Sequence, residues 1–96
     1  MTAPRPIANA LRAKFETAFA PLELVIEDES ARHAGHSGAR AGGESHFRVR
    51  IVSAAFAGLS RVERQRLVYA ATKDEIAAGL HALALTTLTP EEAARG

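Results

Sequence analysis

Apolar residues in the first fifth of the chain recur every four positions, at Ile7, Leu11, Phe15 and Phe19, with Ala8 and Ala18 beside them. Arg12, Lys14 and Glu16 fall elsewhere on the wheel, so this stretch predicts an amphipathic helix. Pro6 suits its first turn, where a missing N–H costs nothing, and Ala20-Pro21 stops it. The period then changes to two. Leu22, Leu24 and Ile26 alternate with Glu23, Val25 and Glu27, and after a glycine-rich stretch Phe47, Val49 and Ile51 alternate with Arg48, Arg50 and Val52. Both stretches predict strands with one face better buried than the other. They are most simply an antiparallel pair, although the connection far exceeds a hairpin loop of about 2–5 residues, and connections of that length are usually functional or mobile.

The second half predicts a turn at Gly58 and then a helix opened by Ser60 and Glu63 at capping-box spacing. Val62, Leu67 and Ala70 or Ala71 are expected to face inward, with Leu59 packing near the entry. "KDEIAAG" continues this helix or forms a short one ending at Gly79. "LHALALTT" predicts a third strand, with Leu83 and Leu85 on one face and Ala82 and Ala84 on the other. Thr89, Pro90 and Glu92 cap and open a last short helix. The order is α-β-β-α-β-α, or α-β-β-α-α-β-α where "KDEIAAG" is a helix of its own. A crossover through a helix returns the chain parallel to the strand it left. The expected fold is thus a single α/β domain with a three-stranded mixed sheet and helices on one face. Residues 6–93 form the domain, between flexible ends at 1–5 and 94–96.

Composition narrows the chemistry. With 96 residues there is room for one core, and with only five aromatic rings that core is mostly aliphatic. A formal net charge of +1 provides no long-range field for polyanions. Cysteine is absent, which excludes disulfides, thiolate metal sites and thiol catalysis by this chain. No apolar run is long enough to cross a bilayer and the N-terminus lacks the apolar centre of a secretory signal, so a cytoplasmic location is expected. Nucleophile elbows, phosphate-binding loops and H-E-x-x-H are missing, and no nucleophile, base and orienter assemble, so an enzyme is not expected.

Two groups of residues remain as candidates. Three of the four histidines, His33, His36 and His46, cluster in the glycine-rich stretch or at its end, and the fourth, His81, stands alone at the start of the third strand. Imidazole nitrogen suits iron, zinc, copper and nickel. The ordinary reading of His46 is a side chain hydrogen-bonded at a strand end. Arg61, Arg64 and Arg66, with Lys73 beyond them, make a basic run near a helix start that could touch phosphate, as could Arg48 and Arg50. The alternative there is a solvated helix face, and no aromatic platform for stacking bases accompanies it.

Several pieces coincide in order and spacing: "VIEDES" before the histidine-bearing loop, "GGESHFRVRIVSAAFAG" after it, "RQRLVY" in the helix and "LHALALTTLTPEE" at the end. Together, from about Ile7 to Glu92, they resemble the BolA family. The resemblance implies a fold like a class II KH domain, in agreement with the order read above. It also implies partnership with a monothiol glutaredoxin as a heterodimer, around a shared [2Fe–2S] cluster. In that arrangement the glutaredoxin gives a cysteine and bound glutathione a second thiolate. The BolA-like chain gives a histidine at the start of its last strand and a Cys or His from the loop between its first two strands. Carried onto this sequence, the strand ligand is His81 and the loop ligand is His33, which follows "ES" at the family's usual distance, with His36 as the rival. Lacking cysteine, the chain falls in the histidine-loop branch. Alone it is expected to be free of metal, as a monomer or weak homodimer.

Two departures from the family stand out. The helix often reads R-H-R in the family but is Arg64-Gln65-Arg66 here, and "FAGLS" has no second glycine for a G-x-x-G nucleic-acid loop. Some relatives are described as stress-linked transcriptional regulators, so DNA binding through Arg61, Arg64, Arg66 and Lys73 is the alternative expectation. Imidazole in place of thiolate makes a cluster less negative and should raise its reduction potential, as in Rieske-type centres. Imidazole binds metal only when unprotonated, so retention should weaken as pH falls toward about 6.5.

Overall fold

In the computed structural model, residues 6–29 and 46–95 are described. Helix α1 spans Pro6–Phe19, strand β1 Glu23–Asp28 and strand β2 His46–Val52. A 3-10 turn at Ala54–Phe56 leads into α2 (Arg61–Ala71) and α3 (Lys73–Ala77). Strand β3 (Ala82–Leu88) and helix α4 (Pro90–Ala94) complete the chain, one residue beyond the domain end expected at 93. The expected flexible end at 1–5 and the loop histidines His33 and His36 lie outside the described residues.

The sheet runs β1-β2-β3, with β1 antiparallel and β3 parallel to the central β2. This is the mixed sheet expected from the two connections. Register puts Leu24 and Ile26 of β1, Phe47, Val49 and Ile51 of β2, and Leu83, Leu85 and Thr87 of β3 on one face. Onto that face α1 lays Ile7, Leu11, Phe15 and Phe19, all buried, and Phe56 and Val68 close the core. Phe19 packs its ring 5.1 Å from that of Phe56, and buried Ser53 donates its hydroxyl to the Phe19 carbonyl at 2.5 Å. The chain leaves α1 through Ala20, whose φ of 43° is left-handed, with its N–H still donating to Glu16. Lys14 reaches Glu75 at 2.9 Å and Asp74 at 3.2 Å, tying α1 to α3.

Two sequence expectations are corrected. Leu22 is 75% exposed, just before the edge strand β1, though its N–H donates to the Val52 carbonyl. In α2 the capping box at Ser60 forms as expected, but Val62 and Leu67 face out and the buried positions are Arg64 and Val68, continued by Thr72. These three lie four apart on one stripe. Arg64 can occupy it because its guanidinium has partners at every side: the carbonyls of Leu59 and Thr87 and the carboxylate of Glu92. An apolar count assigns the inward face to Val62 and Leu67, whereas the phase of the helix gives it to a fully bonded arginine. Ala71, half-buried, and Leu59, half-buried at the entry, stand where the sequence put them.

Candidate functional site

The face of the sheet away from the helices carries Glu23, Val25 and Glu27 on β1, His46, Arg48 and Arg50 on β2, and Ala82, Ala84 and Thr86 on β3. Opposite charges sit across the β1–β2 pair. Arg50 bonds Glu23 at 2.6 Å, and Arg48 bonds Glu29, just past β1, at 3.2 Å. Both arginines considered for phosphate are therefore committed to carboxylates of the same face.

At one end of this face the chemistry changes. Helix α3 ends in a turn where Gly79 has φ of 124°, a conformation open to glycine, and the Leu80 N–H returns to the Glu75 carbonyl. Leu80 is buried and anchors the chain, so His81, the next residue, emerges exposed immediately before β3. His46 opens β2 in register with Ala82, and its carbonyl accepts from the Glu29 N–H at 2.7 Å. The parallel pairing thereby brings together two histidines 35 positions apart: their ring centroids stand 5.1 Å from one another with the planes inclined by 54°. His46 is 8% exposed, so it forms the floor of this pair and His81 the accessible lip. The described chain stops at Glu29 and resumes at His46, both at this end of the sheet, and the intervening segment is the one that contains His33 and His36.

Sequence reasoning put His81 at the start of the third strand, one residue ahead of where β3 begins, and gave His46 only a strand-end role. The signal that could have joined them was the parallel register of β2 and β3, which a crossover implies without specifying. Among the described residues no group of three or more His, Asp or Glu side chains is arranged to hold a metal ion. Two imidazoles make up half of a tetrahedral donor set.

The basic run does not remain whole. Arg61, Arg66 and Lys73 are exposed, but Arg64 is buried and donates to Glu92 at 2.7 Å. As a surface cation for phosphate Arg64 is therefore corrected to a structural residue: its charge already has a carboxylate and its remaining donors meet backbone carbonyls. Glu92 is correspondingly held down to a pKa of about 2 by the Arg64 guanidinium and by the Thr89 N–H of its capping box. Arg61 and Arg64 line a cleft of about 360 Å³, but Glu92 lines it too and sets a negative charge there. Among the described residues no helix is long and apolar enough to cross a membrane.

Comparison with known proteins bears on the whole domain. The family model described as "BolA-like protein" matches residues 15–92. A chloroplastic protein of Arabidopsis thaliana named BOLA1 is 47% identical over 87 residues, covering 88% of this chain but only 54% of its own length. An uncharacterized protein encoded in the cobS 5′ region of a Sinorhizobium species is 47% identical over 90 residues, covering 93% of this chain and 97% of that protein. The structure of the BolA domain of SufE1 from Arabidopsis thaliana superimposes with a TM-score of 0.84 at 46% identity, covering 94% of this chain and 99% of that one.

Proposed function

The chain belongs to the BolA-like family, and on that premise we propose that it is the partner of a monothiol glutaredoxin and shares a bridging [2Fe–2S] cluster with it, for cluster trafficking or iron and redox sensing. In this reading His81 is the fixed ligand from this chain and a second imidazole comes from the region between β1 and β2, with His33 the first candidate on sequence and His36 its rival. The glutaredoxin cysteine and glutathione complete the set with two thiolates.

The observation that supports the reading is the placement of His81. It is exposed at the lip of the sheet, anchored by buried Leu80, beside a second imidazole and next to both ends of the 30–45 segment. Two borderline-soft nitrogen donors suit iron that already has thiolates from elsewhere. An exposed ligand on an incomplete set fits a cluster received and passed on, since this chain contributes too few donors to hold one alone. The cluster, when bound, would supply one-electron chemistry or serve as cargo.

Mixing the protein with a monothiol glutaredoxin, glutathione, iron and sulfide tests this. The wild type should give a heterodimer whose visible circular dichroism differs from that of the glutaredoxin alone, and His81→Ala should abolish the difference. A spectrum indifferent to His81→Ala would overturn the assignment.

A further inference from the structure

The geometry points to His46 as the second ligand that this chain gives to the cluster, forming with His81 a two-imidazole site on one iron. This inference rests on the function proposed above and replaces the loop histidine in it. The carrying observation is the distance between the rings. A first-row metal stands about 2.0–2.1 Å from an imidazole nitrogen, which puts the ring centroid about 3.2 Å from the metal; two such rings at a tetrahedral angle have centroids about 5.2 Å apart. His46 and His81 stand at 5.1 Å. The planes are inclined by 54°, and the broad terminal torsion of histidine lets a ring turn about its own axis while its centroid stays nearly in place.

Three further features favour His46. Its ring is carried by the first residue of the central strand, and its backbone is fixed on both sides, by Glu29 and by the register with Ala82. A ligand so held loses little freedom on binding. It is also nearly buried while His81 is exposed, so an iron approaching from solvent would meet His81 first and His46 behind it. Finally, the pair is made by elements of the fold itself, β2 and the entry to β3. Two imidazoles on one iron of a [2Fe–2S] cluster, with thiolates on the other, is the Rieske arrangement of donors.

The test uses the complete chain in the cluster-bearing complex with a monothiol glutaredoxin, reduced and examined by pulsed electron paramagnetic resonance for strongly coupled nitrogens. Wild type should show two, and His46→Gln and His81→Gln one each, while His33→Ala and His36→Ala keep both. His46→Gln keeps a polar side chain of similar size at this buried position. His46→Ala serves as a second variant, with far-ultraviolet dichroism and thermal melting of each free chain reporting its fold. Two couplings persisting in a folded His46 variant, with one lost in His33→Ala or His36→Ala, would overturn the role of His46 and leave the proposed function standing. A wild-type complex with no nitrogen coupling, or one in which His81→Gln changes nothing, would overturn both.

Discussion

Three elements meet on the guanidinium of Arg64. Its Nε donates to Leu59 before α2, one terminal nitrogen to Thr87 of β3, and both terminal nitrogens to the Glu92 carboxylate of α4, while its plane stands 5.9 Å from the Phe56 ring centre. Arg64→Met keeps the stem but abandons buried carbonyls and a carboxylate, and should cost roughly 2–4 kcal/mol in a denaturant titration. The same contact gives a pH signature. Glu92 titrates at about 2 in the folded chain against an ordinary 4.5, so its contribution is complete above about pH 4.5 and is lost as pH falls toward 2. Melting temperatures between pH 5 and pH 2 should therefore fall more steeply for wild type than for Glu92→Gln. Parallel slopes would show that the pair adds nothing.

At the level of the element, the phase of α2 is the feature that an apolar count misjudges. Val68 is fully buried and Val62 is 55% exposed. Val68→Ala should cost about 1–3 kcal/mol, and Val62→Ala should lie within about 0.5 kcal/mol of wild type. Comparable losses in the two variants, measured by denaturant midpoint, would contradict the burial seen here. The end of α1 offers the opposite sign. Ala20 occupies a left-handed conformation that glycine adopts freely, so Ala20→Gly should stabilise by up to about 1 kcal/mol, less whatever the looser unfolded chain takes back. A lower melting temperature in that variant would mean that the contacts of the Ala20 methyl outweigh the strain. The strands themselves were legible from their period of two, and the two capping boxes from Ser60-x-x-Glu63 and Thr89-x-x-Glu92, because these signals are local in the chain.

At the level of the whole molecule, the helices occupy one face of the sheet and the candidate ligands gather at one end of it. That arrangement leaves His81 exposed at the surface, and on the function proposed above the electronic character of a shared cluster would be a property of the pair of proteins. A cluster with two imidazoles in place of two thiolates carries less negative charge, so its reduction potential should lie above that of the all-thiolate cluster of the glutaredoxin alone. Redox titration of the two species under the same buffer checks this, and equal potentials would argue against imidazole ligation. The surface charge is less suited to a polyanion than the sequence implied, since Arg48, Arg50 and Arg64 are each paired with a carboxylate.

Much of this was available from residue order alone. Period four in α1, period two in the strands, the left-turning glycines and the caps depend on neighbours within a few positions, and a helical crossover constrains the strand after it to run parallel. The resemblance of several short motifs in sequence supplied the family and singled out His81. What no local pattern contains is register: whether His46 stands opposite Ala82 or elsewhere follows from how two strands with 29 residues between them dock onto a common core. The same holds for Arg64, whose burial depends on a carboxylate 28 residues away. Contacts of long sequence separation are decided by packing, because the free energy that selects them belongs to the assembled layers. Four histidines were visible from the start; the fold made two of them neighbours.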